Sequence, residues 1–311
     1  MKIAPLSLAN EIAWAELLAV SFNRKQSQMN QLLHFLQAEQ KLVAWGAWDG
    51  ERLAAQYSCY LTAVSDPNCT QPIPVGMSIN MAVHPDYRGR GLIKQVSQPV
   101  YAYLQENGVL AGVGFSNAAG VQVDKKSKGY GYQVIGQLRP YLAILRQPSN
   151  CKPLTLNTTL PNQSFQVALQ PQKFQFAATA ESICHRFAHH PFRQYQFAVW
   201  EEKEAVRGVV IFRTVHLFGV RCVALLAAYS HNMAHLLQRW SKTMCQAGTR
   251  LVQFVTTPNA SILNALKPTA HILPQPRSRN PYYLTLKPLS SDLPTTILDY
   301  QNWECVGGDI L

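Results

Sequence analysis

The sequence predicts an α/β fold built on a mixed sheet and repeated in tandem. Three observations carry that expectation. Strand-period and helix-period apolar runs alternate along the chain, the alternation restarts after a proline-rich stretch near residue 150, and 311 residues exceed the usual single domain. With 47% hydrophobic and 14% charged residues the chain can bury sizeable cores and does not read as disordered.

Asn10 is placed to cap a helix over 11–22, with Ile12, Leu17, Leu18 and Phe22 on one face. A second helix is expected over 28–40. Residues 41–48 and 52–64 read as strands joined by Asp49-Gly50, a strong hairpin signal. Pro67, Pro72 and Pro74 make the next stretch a loop. A strand over 75–83 stops at Pro85, and a helix from Leu92 to Asn107 closes at Gly108, with Pro99 expected to kink it. Then come a small-residue strand over 109–115, a helix over 118–128 and one strand over 132–145.

Residues 146–161 read as a linker. Beyond it a second hairpin is expected around 201–207, followed by a strand over 220–228 and a helix over 233–247. A strand over 251–255, a short helix over 259–266, a proline-rich loop over 270–281 and a strand over 282–286 complete the order. Ala47-Trp48-Asp49 parallels Val199-Trp200-Glu201, and Phe115-Ser116-Asn117-Ala118 parallels Thr257-Pro258-Asn259-Ala260. With the shared order of elements, these likenesses point to a diverged duplication. The expected domains are 1–147 and 162–311, with 148–161 between them.

The 28 Lys and Arg against 17 Asp and Glu give +11, spread over both halves. The longest basic run, Lys125, Lys126 and Lys128, is too short for a nucleic-acid footprint. A diffuse positive field suits an anionic ligand, such as a nucleotide cofactor or an acyl carrier protein, and equally suits mere solubility. Seven cysteines without a CxxC pair read as reduced thiols of a cytoplasmic protein. Asn10, Glu11 and Glu16 interrupt the first apolar run, which argues against a signal peptide. No run reaches the length of a membrane span.

The chemistry is concentrated in Met77 to Lys94. An apolar strand ends at Pro85, and Arg88-Gly89-Arg90-Gly91 opens a helix. Unpaired N–H groups at a helix start, glycines that allow close approach and two guanidinium groups form a cradle for a pyrophosphate. The stretch Val83-His84-Pro85-Asp86-Tyr87-Arg88-Gly89-Arg90-Gly91 resembles the acyl-CoA signature of GNAT N-acetyltransferases. Arg88 and Gly91 match its fixed positions, and Ile93 stands where the family has a small residue. Gly114-Phe115-Ser116-Asn117 and Gly129-Tyr130-Gly131-Tyr132 extend the likeness over roughly 40–146.

The resemblance implies the GNAT acyl-CoA N-acyltransferase fold, with acyl-pantetheine between two splayed strands. It implies acetyl-CoA or another acyl-CoA as co-substrate, held by Met81, Ala82, Val83, Arg88, Gly89, Arg90, Gly91, Leu92, Ile93, Lys94 and Asn117. It also implies an N-acyltransferase acting on a primary amine of a small molecule. No nucleic acid, membrane or metal is expected. The alternatives are acyl transfer from an acyl carrier protein and a non-catalytic acyl-CoA sensor. In the second half Tyr229 to His235 has neither Gly-x-Gly nor arginine, so that half reads as a degenerate GNAT-like domain.

Catalytic residues are not legible. The family's tyrosine acid would fall on Lys125 or Ser127, and the strand over 75–84 carries no carboxylate, Asn80 standing nearest. The remaining candidates are His84, Tyr130 and the terminal carboxylate of Leu311, which Gly307-Gly308 would let fold back. Tyr132 is better read as a strand-core aromatic. Cys184, His185, His189 and His190 are close enough in sequence to suggest a metal site. No further ligand set with recognisable spacing exists and Pro191 ends the segment, so none is assigned.

Overall fold

The computed structural model describes residues 1–69, 71–126, 131–160, 172–203, 205–217, 219–275 and 281–310. They form two compact units. Unit 1 comprises Met1–Val64, Gln71–Gly136 and Tyr282–Tyr300, and unit 2 comprises Ser65–Thr70, Gln137–Pro281 and Gln301–Leu311.

In chain order, unit 1 begins with β1 (Lys2–Pro5), α1 (Glu11–Phe22), α2 (Gln26–Gln37), β2 (Leu42–Asp49) and β3 (Arg52–Ser65). It continues with β4 (Ile73–Val83), α3 (Leu92–Glu106), β5 (Ala111–Ser116), α4 (Ala118–Lys126) and β6 (Gln133–Gln137). Unit 2 holds β7 (Arg139–Leu145), β8 (Thr155–Asn157), β9 (Gln175–Phe176) and α5 (Ala180–Ile183), the last running on as a wider turn over Cys184–Ala188. Then follow β10 (Gln196–Glu202), β11 (Ala205–Leu217), β12 (Val220–Ser230), α6 (Met233–Gln246), β13 (Leu251–Thr256), α7 (Ser261–Leu266) and β14 (Ala270–Pro274). β15 (Tyr283–Pro288) returns to unit 1.

The sheet of unit 1 runs β1-β2-β3-β4-β5-β15-β6 and that of unit 2 runs β14-β7-β13-β12-β11-β10-β8. Each is mixed: β4 and β5 are parallel, as are β12 and β13, whereas β1–β2, β2–β3, β3–β4 and β5–β15 in the first sheet and β8–β10, β10–β11, β11–β12, β7–β13 and β7–β14 in the second are antiparallel. The two tryptophans matched in the sequence sit at equivalent faults. The β2–β3 register shifts between Ala47 and Trp48, and the β10–β11 register shifts between Trp200 and Glu201. In unit 1, α3 buries Val96, Val100 and Leu104 against Tyr57 and Cys59 of β3. In unit 2, Trp240 of α6 packs against Phe212, ring centres 5.9 Å apart.

The main departure from expectation lies at 132–145. It is two strands, not one, broken at Leu138, and they enter different sheets: β6 lies beside β15 in the first, while β7 pairs with β13 in the second. The division therefore falls near 136 rather than 147, and 282–300 rejoins unit 1. The expected linker carries β8, an edge strand against β10. The expected loop over 270–281 begins as β14, paired with β7 and bounded by Pro268 and Pro274. Its segment 276–280 lies outside the described residues. β1 was not anticipated, because four residues carry too little periodicity.

Two smaller corrections concern α1 and α3. Asn10 does not cap α1; its side chain accepts from Ser7 N at 3.2 Å inside the preceding turn. The buried face is Trp14, Ala15, Leu17 and Leu18, with Ile12 and Phe22 exposed, because an almost wholly apolar helix shows no preferred face in its sequence. α3 runs continuously through Pro99.

Candidate functional site

β4 and β5 hydrogen-bond as parallel strands only from Val75–Ala111 to Ser78–Gly114. β4 continues five residues further to Val83, so the two strands part beyond Ser78. The parting coincides with a bulge. Ser58 pairs with Ile79 and Gln56 with Ala82, leaving one extra residue in β4, and Asn80 takes φ +50° there. Two buried side chains hold it open, Gln56 donating to Asn80 O and Ser58 Oγ to Ile79 O at 2.8 Å. His84 N donates to Ala54 O, so by strand alternation Met81 and Val83 direct their backbone groups away from β3. Ala82 is buried and faces β3.

Beyond β4 the chain makes a tight turn at Pro85–Tyr87 and enters α3 through Gly89 (φ +79°) and Gly91 (φ +69°). Gly91 is the N-cap, and no side chain caps the helix. The first-turn N–H groups of Leu92, Ile93 and Lys94 thus lie at a helix start, where the dipole favours an anion. A Cβ on Gly89 or Gly91 would meet nothing within 4 Å, so the positive φ is what calls for glycine. Arg88, Arg90 and Lys94 are exposed around this start. Ile93 packs against the core beneath α3, which explains how a bulky residue is accommodated where the family has a small one.

The turn is fastened to the first hairpin. Tyr87 donates to Asp49 Oδ2 at 2.7 Å, Arg90 donates to Asp86 O at 3.0 Å, and Arg90 and Arg52 lie 4.9 and 5.7 Å from the Tyr87 ring centre. His84 belongs to the same fastening. Its Nε2 meets Arg52 Nη2 at 2.8 Å, and its Nδ1 accepts from Asp86 N at 3.3 Å. Both ring nitrogens are engaged, an arrangement that suits a turn lock. Asn117 Oδ1 accepts from Gly120 N at 2.9 Å, so that oxygen caps α4. Tyr130 and Leu311 lie outside the described residues.

Sequence reading missed a buried hydroxyl chain beside the parting of the strands. Tyr101 donates to Tyr57 (3.1 Å) and Tyr57 to Tyr132 (3.2 Å), and Tyr57 also hydrogen-bonds Ser78 at the last β4–β5 pair. Burial, followed by the neighbouring Cys59, pushes the Tyr57 hydroxyl well above its ordinary pKa, so it stays protonated. Burial likewise pushes Cys59 up to about 12. The only sequence signal was an aromatic in each of three separate elements.

In unit 2 the corresponding helix start is closed by its own side chains. Asn232 Oδ1 accepts from His235 N at 3.1 Å, and Ser230 Oγ accepts from Asn232 N at 3.1 Å. Among the described residues no three metal-ligating side chains gather, and no helix is long and apolar enough to cross a membrane.

A parallel pair that splays at a bulge and leads through Arg-Gly-Arg-Gly to an uncapped helix agrees with the family comparison. The acetyltransferase (GNAT) domain profile matches residues 2–133. Residues 2–133 are thus similar to GNAT domains. No curated protein matches the sequence. Among solved structures, a GCN5-related N-acetyltransferase from Anabaena variabilis is 12% identical, with TM-score 0.69 over 93% of this chain and 73% of that one. A GCN5-related N-acetyltransferase from Kribbella flavida gives 12%, 0.61, 92% and 70% for the same measures. A tandem GNAT protein from the clavulanic acid biosynthesis pathway gives 12%, 0.57, 94% and 99%. At such identities the likenesses establish fold alone, and they carry the GNAT fold across both units.

Proposed function

We propose that the protein transfers an acyl group from acyl-CoA to a primary amine of a small molecule, with the GNAT domain of unit 1 holding the cofactor. The observation that carries this reading is the uncapped start of α3 directly after the splayed β4–β5 pair. GNAT domains use acyl-CoA as co-substrate, and the two features fit its two halves. The pyrophosphate would rest on the N–H groups of 92–94, with Arg88, Arg90 and Lys94 adding charge. The pantetheine arm would run between β4 and β5, against the backbone groups that Met81 and Val83 direct away from β3.

The reaction requires a neutral amine to attack the thioester carbonyl. The C–N bond forms, the C–S bond breaks, and the thiolate takes up the proton that the amine loses. Tyr57 and Ser78 stand at the base of the splay, where Tyr57 keeps its proton and donates it in the hydrogen bond to Tyr132. No described carboxylate lies on β4 to take the amine's proton, so an amine that arrives neutral suits the site best. This favours an acceptor whose ammonium pKa lies below that of lysine.

Calorimetric titration with acetyl-CoA tests the reading. Wild type should bind. Gly91→Val forces a β-branched residue into left-handed backbone, distorting the turn at a cost of about 1–2 kcal/mol, and should weaken binding. Arg88→Ala should lose about 1–3 kcal/mol of binding where the guanidinium meets phosphate. Unchanged affinity in both folded variants would place the cofactor elsewhere. Thiol release across an amine panel then separates an enzyme from a binder.

A further inference from the structure

The splay of unit 1 has a counterpart in unit 2. Parallel pairing of β12 with β13 is confined to Val223–Val252 and Ala224–Gln253, although the strands continue to Ser230 and Thr256. β12 also carries one extra residue, Leu226, between the pairs Phe212–Leu225 and Ile211–Ala227. Early loss of parallel pairing and a bulge on the leading strand are the two devices that part β4 from β5.

The segment Cys305–Asp309 lies in this second wedge. On the β13 wall, Cys305 O accepts from Thr256 Oγ1 at 2.7 Å and from Thr257 N at 3.1 Å, and Val306 forms an antiparallel bridge with Thr256. On the β12 wall, Gly308 lies so close that a Cβ there would stand 2.9 Å from Leu226 O and 3.3 Å from Ala227 Cβ. The chain thus touches the carbonyl of the bulge residue itself.

Packing supports the same placement. Successive residues of β11 divide between two core clusters, Val210 and Phe212 in one and Val209 and Ile211 in the other, so the clusters cover opposite faces of the sheet. Val306 packs against both. One side chain can do that only where neighbouring strands have parted. Val306 N donates to Asp309 Oδ2 at 2.7 Å, closing the segment on itself.

We propose that Val306–Asp309 is the resident occupant of the unit 2 wedge, filling with peptide the place that acyl-pantetheine takes in unit 1. One acyl-CoA then binds per chain. The comparison with pantetheine rests on the reading of unit 1 given above, whereas the placement of the segment does not. The closed helix start of α6 agrees with it, since the second wedge has no cradle for a pyrophosphate.

The fully buried Cys305 supplies a reporter, and Cys222, equally buried at the start of β12, supplies a control for global unfolding. Full-length wild type, Gly308→Val and Thr256→Val are labelled with a maleimide, and modification is located by peptide mass. The first variant pushes the segment off the bulge, and the second removes the hydroxyl that donates to Cys305 while disturbing the fold less. Cys305 should be protected in wild type and label at least about tenfold faster in the variants, with Cys222 unchanged, as expected of local opening. Acetyl-CoA titration of wild type should give one site per chain. Labelling of Cys305 that keeps pace with Cys222 in both variants, or two acetyl-CoA per wild-type chain, overturns the proposal. No acetyl-CoA binding at all defeats the reading of unit 1 instead, and the thiol result still decides what fills the second wedge.

Discussion

Asp309 is buried with its carboxylate against Val306 N, and the charged and titratable groups acting on it are Arg186, Glu304, Tyr229 and Cys305. Burial dominates. It raises the Asp309 pKa to about 6 from an ordinary 3.8, with Arg186 and the backbone bond pulling the other way and Glu304 adding to the rise. An acid with a raised folded pKa keeps its proton in the folded state while the unfolded chain loses it. Stability from this group is therefore greatest at or below pH 4 and falls as pH rises to about 6. A shift of that size corresponds to about 2–3 kcal/mol. Asp309→Asn should remove this dependence, so urea midpoints of wild type and variant should diverge between pH 4 and 6.5 in the variant's favour. A constant difference across that range would show that Asp309 ionises normally. Titration of His190, held down to about 4 by burial and by Arg193, Arg186 and Arg213, runs in the opposite sense but is common to both proteins.

Helix α6 shows what the element scale adds. Its amphipathic spacing made it legible in the sequence, and the predicted end lies one residue from the observed one. Its largest buried side chain was not legible in its consequences: Trp240 is fully buried against Phe212, with an indole N–H that lacks a hydrogen-bond partner among the described residues. Leaving a buried donor unsatisfied costs about 1–3 kcal/mol. Trp240→Phe should therefore cost less than the volume it removes suggests, whereas Trp240→Ala should cost about 3–5 kcal/mol. Chemical denaturation monitored by circular dichroism separates the two, and equal losses would mean that the indole N–H is satisfied. The α3 cradle was legible for a related reason. Arg88-Gly89-Arg90-Gly91 is local, and both glycines sit at positive φ where the sequence placed the turn. The hydroxyl chain Tyr101–Tyr57–Tyr132 was not legible, because its members come from a helix and two strands whose contact only the tertiary fold decides.

At the scale of the whole molecule, periodicity gave the order of elements but not the sheet each strand joins. Residues 132–145 have one continuous strand-like pattern, yet β6 stays in the first sheet and β7 belongs to the second. Conversely, β15 follows a stretch of the second unit and pairs with β5 from Tyr283–Ser116 to Pro288–Ala111. Hydrophobic alternation is the same in either sheet, so no reading of the residues alone could assign these strands. The consequence is physical. A chain ended at residue 147, the boundary the sequence suggested, would lack β15, leaving one edge of β5 and its partner edge on β6 unpaired, with Leu284 and Leu286 missing from the core. Open apolar edges of that kind favour aggregation over folding. Fragment 1–147 should therefore show no cooperative thermal transition and no acetyl-CoA binding. Supplying residues 282–300 through a flexible linker after residue 136 should restore both, because that composition matches unit 1. A fragment 1–147 that melts cooperatively and binds acetyl-CoA as the full chain does would show that β15 is dispensable and that the exchange of strands does not determine how unit 1 folds.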